Sequence, residues 1–173
     1  MRTLILGGAR SGKSALAERL AAGSGHEVVY IATAQALDEE MAARIARHRA
    51  DRPAHWHCME EPLALAAALR AQVRPGRCVV VDCLTLWLTN LFATRDPARL
   101  AQERDALLEL VPSLTGQVLL VSNEIGLGVV PMGELTRRFV DEAGRLHQAL
   151  ASQCDRVLFV AAGLPLALKG SLA

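Results

Sequence analysis

No stretch of this sequence is apolar for long enough to span a bilayer, and no charged segment followed by a short apolar run opens it. Neither a membrane span nor a secretory leader is therefore expected, and the expected compartment is the cytoplasm. An excess of one charge is missing too. Against 18 Asp and Glu stand 19 Lys and Arg, a formal net charge of +1, which gives no reason to expect nucleic acid or an anionic membrane as partner. The four cysteines, Cys58, Cys78, Cys83 and Cys154, form no C-x-x-C pair and no zinc-like spacing, so they read as reduced, small and mostly buried residues. His55-Trp56-His57 puts two imidazoles on one side of an extended strand, but without a third firm ligand they read as polar side chains rather than a metal site. Internal repeats and low-complexity segments are absent. What remains is a 173-residue chain, 51% apolar, of a size for one domain spanning residues 1–173 with a core that needs no disulfide or metal.

Lysine is scarce, with Lys13 and Lys169 the only two, and one of them sits in the most informative stretch. The apolar run 4–6 leads into Gly7-Gly8-Ala9-Arg10-Ser11-Gly12-Lys13-Ser14, after which Ala15, Leu16, Ala17, Leu20 and Ala21 fall at helical spacing. Strand, glycine loop and helix in this order make a phosphate cradle. The strand aims the loop, the glycines let backbone N–H groups approach phosphate oxygens, and the helix N-terminus favours the negative charge. Lys13 is then expected to reach the β and γ phosphates, and Ser14 to ligate Mg²⁺.

Further along, residues 27–32 read as a buried strand whose exit carries Thr33, Ala34 and Gln35, where open α/β sheets bind ligands. A helix follows, with Asp38 as its cap and with Leu37, Met41, Ile45 and His48 on one apolar side. Periodicity alone favours an ordinary core or boundary role for that histidine. Arg47, Arg49 and Arg52 beside it make either a cationic patch or a solvated face, and Pro53 ends the helix. Residues 56–60 read as a short extended segment, Glu60 and Glu61 precede a helix over 63–73, and 78–82 is a β-branched strand ending in Asp82. A carboxylate there is placed to hold Mg²⁺ opposite Ser14. Helices are expected over 84–91, 98–110 and 134–152, and strands over 117–122 and 155–161. The apolar glycine loop 125–131 follows Asn123-Glu124 at another strand exit and is either a substrate-side loop or a packed connection. The tail 163–173 is unassigned. Strands alternating with helices predict an α/β fold of P-loop NTPase type, a mostly parallel sheet with helices on both faces and right-handed crossovers.

Together these stretches resemble the bifunctional adenosylcobinamide kinase/adenosylcobinamide-phosphate guanylyltransferase family of cobalamin biosynthesis. The matching residues are the loop from Gly7 to Ser14, Tyr30-Ile31-Ala32-Thr33, Met41-Ala42-Ala43-Arg44-Ile45 with His48-Arg49 and Arg52-Pro53, Asp82-Cys83-Leu84-Thr85, and Asn123-Glu124 with the glycine loop to Pro131. The resemblance covers essentially the whole chain. It implies a homotrimer, His48 as the guanylylated nucleophile, and GTP contacts from the phosphate loop, Thr33, Ala34, Gln35, Arg49, Ala50, Asp51, Arg52, Glu60 and Asp82. It further implies adenosylcobinamide, its phosphate, GTP and ATP as substrates, with Mg²⁺ and no other cofactor. Two departures stand out: Arg47 precedes His48 where some relatives have a second histidine, and Asp82 stands where some have Glu. Asn123 and Glu124 are assigned to the corrinoid side, and Glu60, Asp82 and Glu124 are each candidates for the base of the kinase step. Two other readings of the same loop are a single-activity small-molecule kinase and a nucleotide-hydrolysing switch. The absence of a guanine-reading N-K-x-D sequence weighs against a GTPase switch.

Overall fold

The computed structural model describes residues 1–35, 39 and 53–172. A seven-stranded sheet of order β3-β2-β4-β5-β1-β6-β7 forms its centre. The strands are β1 (Arg2–Gly7), β2 (Glu27–Ala32), β3 (His57–Glu60), β4 (Arg77–Asp82), β5 (Gln117–Asn123), β6 (Arg156–Ala161) and β7 (Leu164–Lys169). Every pairing is parallel except β6 with β7. Helices α1 (Lys13–Ala22), α2 (Leu65–Gln72), α3 (Leu84–Ala93), α4 (Pro97–Leu110) and α5 (Glu134–Gln153) connect them.

Alternation along the strands gives the sheet two apolar faces, and each needs a cover. Leu4, Leu6, Val79, Val81, Val118 and Leu120 pack on one side with residues of α2, α3, α4 and α5. Ile5, Val80, Leu119 and Val121 pack on the other with Leu16, Ala17 and Ala21 of α1. This is the expected architecture, with helices on both faces.

Boundaries differ where local hydrogen bonds decide them. The helix expected from residue 63 begins at Leu65, because Glu61 Oε1 accepts from the N–H groups of Leu63 and Ala64 (2.9 and 2.7 Å) and fixes the turn in front of it. Pro97 opens α4 behind Asp96, whose carboxylate accepts from Ala98 and Arg99 N–H. The unassigned tail supplies β7, an antiparallel edge strand reached through the tight turn at Ala162 and Gly163, both at positive φ. Cys78, Cys83 and Cys154 are buried, but Cys58 on β3 is exposed. Among the described residues no helix is long and apolar enough to cross a membrane. The expected helix bearing Met41, Ile45, His48, Arg49, Ala50, Asp51 and Arg52 lies outside the described residues.

Candidate nucleotide site

Parallel pairing brings the C-terminal ends of six strands to one edge of the sheet. Ala32 is in register with both Glu60 and Asp82, and Gly7 with both Asn123 and Val160. Asp82 pairs with Val121, which pairs with Ile5, so β1 and β5 run two residues beyond β4. The phosphate loop therefore stands forward of the Asp82 carboxylate, with the exit of β5 between them.

The loop is shaped by close approach. Gly12 adopts a left-handed conformation (φ 95°) and caps α1, with Leu16 N–H bonded to its carbonyl. A Cβ on Gly7 would lie 2.5 Å from both Ser11 Oγ and the Val160 carbonyl oxygen, so only glycine fits. The β6–β7 turn supports the loop from below, where Gly163 N–H donates to Ser11 O (2.8 Å). Lys13 is buried and its Nζ donates to Gly8 O at 3.0 Å, arching back over the loop. Ser11 Oγ is buried with no hydrogen-bond partner among the described residues. A buried hydroxyl without a partner costs about 1–3 kcal/mol, which a phosphate oxygen as acceptor would relieve. Arg10 and Ala9 are exposed at the loop's tip, Gly8 and Ser14 half-buried.

Asp82 is held by Tyr30, whose hydroxyl donates to Oδ2 at 2.6 Å, and Tyr30 stacks on Trp56. The thiol of Cys83 is pushed up to about 11, mainly by burial, with Asp82 raising and Lys13 lowering it. The lysine and the carboxylate thus both act on this one position. The donor set suits Mg²⁺: the Ser14 hydroxyl and the Asp82 carboxylate would offer it hard oxygen ligands. Among the described residues no group of three or more His, Cys, Asp and Glu is arranged to hold a metal.

Other expected contacts are redistributed. Thr33 is fully buried. Its hydroxyl donates to Cys83 O (2.7 Å) and accepts from Cys83 N–H (2.9 Å), its N–H donates to Asp82 O, and its carbonyl accepts from Asn90 Nδ2. With every polar group engaged, Thr33 fixes the β4 exit. Glu60 ends β3, four strand spacings or about 19 Å from β1. That is too far for a base at the phosphate loop. Glu124, by contrast, follows β5 and its N–H donates to Gly7 O at 3.0 Å.

Sequence reasoning missed the buried polar cluster behind Glu124. Asn123 N–H donates to Thr85 Oγ1 (2.7 Å), Thr85 Oγ1 lies 3.1 Å from Ser122 Oγ, and Ser122 Oγ lies 2.8 Å from His147 Nε2. His147 Nδ1 is 3.7 Å from Glu124 Oε2. The signal was present in α5, whose buried positions Ala143, Leu146, His147 and Leu150 recur at helical spacing.

A glycine loop between a buried strand and a helix, with a carboxylate ending a nearby parallel strand, defines a P-loop nucleotide-binding protein. The solved structure of the RadB recombinase has a similar fold, with a TM-score of 0.53 at 18% identity over 91% of this chain and 73% of that one. The chain belongs to the cobinamide kinase / cobinamide phosphate guanyltransferase family, which matches residues 3–168. The bifunctional adenosylcobalamin biosynthesis protein CobP of Pseudomonas aeruginosa is 69% identical over 170 residues, 98% of each chain. Its counterpart CobU of Escherichia coli is 39% identical over 182 residues, covering 98% of this chain and all of that one. The chain is accordingly an enzyme of this bifunctional kinase and guanyltransferase class.

Proposed function

We propose that this single-domain chain phosphorylates the aminopropanol hydroxyl of adenosylcobinamide with ATP or GTP, then transfers GMP from GTP to that phosphate through a guanylyl-His48 intermediate. It works as a cytoplasmic homotrimer. The observation that carries the reading is the phosphate loop itself, with Lys13 arched over it and the unpartnered Ser11 hydroxyl inside it, in a chain of this family.

One loop serves both reactions. In the first, the substrate hydroxyl oxygen bonds to the γ-phosphorus, the bond to the bridging oxygen breaks, and the nucleoside diphosphate leaves with the electron pair. Loop N–H groups, Lys13 and the hydroxyl of Ser11 stabilise the charge on the departing side. In the second, a neutral His48 nitrogen bonds to the α-phosphorus and pyrophosphate leaves, held by the same donors. A cobinamide phosphate oxygen then displaces the imidazole and restores it neutral. The covalent step keeps two polyanions from having to share the site. Ser14 and Asp82 would hold Mg²⁺, which would supply charge neutralisation on the phosphates. Arg49 and Arg52 add positive charge and favour the neutral, nucleophilic form of His48. Glu60, Ala34 and Gln35, at the exits of β3 and β2 and away from β1, suit the nucleoside end, and Asn123 with the loop 125–131 suits the corrinoid.

The test uses Mg²⁺ with GTP labelled at the α or the γ phosphate. The expected result is acid-labile, base-stable label on denatured protein from the α position only, abolished in His48→Ala. Transfer of γ label to adenosylcobinamide, without any α adduct, would leave a kinase only.

A further inference from the structure

The cluster behind Glu124 is more ordered than a structural filler requires. His147 is 6% exposed on the inner face of α5, yet its two ring nitrogens face different groups, Nε2 toward Ser122 and Nδ1 toward Glu124. Burial pushes its pKa down against the partial opposition of Glu124, so the ring is neutral near pH 7 with one N–H to place. Thr85 Oγ1 accepts from Asn123 N–H, and a chain in which Thr85 donates to Ser122 and Ser122 donates to Nε2 satisfies every hydroxyl and places the ring N–H on Nδ1, facing the carboxylate; the proposal takes this tautomer.

Glu124 is in turn fixed from two sides. Its N–H is tied to Gly7 O at the start of the phosphate loop, and its Oε1 accepts from Gly126 N–H at 2.6 Å. The three candidate bases are thereby separated: Glu60 lies three strands beyond β5, and Asp82 has one oxygen committed to Tyr30 and is assigned to Mg²⁺ in the reading above. Glu124 alone flanks the loop on the strand between β1 and β4.

Building on the kinase reading above, we propose that His147 is a positioning residue. Through its Nδ1–H it orients Glu124, and Glu124 accepts the proton of the substrate hydroxyl as the new oxygen–phosphorus bond forms and the nucleoside diphosphate departs. The two atoms stand 3.7 Å apart, and the proposal requires that separation to shorten to a hydrogen bond when substrate arrives.

Two amide substitutions separate this role from plain packing. The Nδ2 of Asn reproduces the Nδ1 position, and the Nε2 of Gln reproduces Nε2. His147→Asn should keep kinase kcat within about threefold of wild type, while His147→Gln lowers it by about 10- to 100-fold with nucleotide KM unchanged. The α-label adduct should form normally in both. The opposite ranking would show that the Ser122 bond is what matters, equal losses would show plain packing, and either would overturn the proposal. If either variant fails to fold, Glu124→Gln, which is half-buried, and Ser122→Ala replace them. Kinase kcat should then fall at least tenfold in the first and by about three- to tenfold in the second, with the adduct intact, and unchanged kinase kcat in Glu124→Gln overturns the proposal. Wild-type protein that forms no cobinamide phosphate would overturn the kinase reading and this inference with it, whereas an active wild type with an unimpaired His147→Gln overturns the inference alone.

Discussion

Gly7 shows how much a single missing methyl group decides. A Cβ there meets a backbone carbonyl of β6 and the buried Ser11 hydroxyl, both at 2.5 Å, and the carbonyl cannot swing away as a side chain would. Gly7→Ala should therefore cost about 1–3 kcal/mol of stability and weaken GTP binding at least tenfold, read by thermal melts and by titration with GTP. A substitution to Ala at Gly8, where nothing lies within 4 Å, should cost far less. The glycine-rich pattern was legible in the sequence because its spacing is local. Thr33 was legible only as a strand exit: that its hydroxyl serves Cys83, fifty residues away, depends on β2 pairing with β4. The same holds for Tyr30, whose hydroxyl finds Asp82 across that pairing.

At the scale of elements, the sheet's lower edge is tied by a clamp that periodicity does not reveal. Arg2, opening β1, donates its backbone N–H, Nε and Nη2 to the Asp155 carboxylate just before β6, and Asp155 N–H returns a bond to Arg2 O. These hydrogen bonds hold the Asp155 pKa down at about 2. A carboxyl with a depressed folded-state pKa stabilises fully above its unfolded value and loses that contribution as pH falls through the folded one. Asp155 is 42% exposed, so solvent screening holds the effect to about 0.5–1 kcal/mol. Asp155→Asn should unfold at lower urea concentration at pH 7, and the gap from wild type should close between pH 4 and about 2. The main strands and helices were legible from hydrophobic runs and periodicity. Their ends depended on Glu61, whose cap sits before α2, and on β7, whose leucines alternate on an edge strand that no local signal distinguishes from a tail.

At the scale of the molecule, two apolar surfaces are left uncovered among the described residues. One is the outer row of β7, with Leu164, Leu166 and Leu168 at 58–73% exposure; the other is the loop after β5, with Leu127, Val129 and Val130 at 72–97% and Met132 at 95%. Apolar surface of this kind marks contact sites, and the two differ in what they adjoin. The loop starts at Glu124, beside Gly7 at the start of the phosphate loop, and so suits the large substrate of the proposed reaction. The leucines of β7 lie on a regular edge strand, whose unpaired backbone and flat apolar row suit another copy of the chain. If the proposed trimer is built on β7, replacing Leu164 and Leu166 together by Glu should convert a species of three times the chain mass, measured by light scattering, to one of chain mass. Val129→Asp with Val130→Asp should leave the mass unchanged and raise the KM for adenosylcobinamide at least tenfold. Loss of the trimer with the loop variant, and not with the strand variant, would move the subunit contact from β7 to the loop.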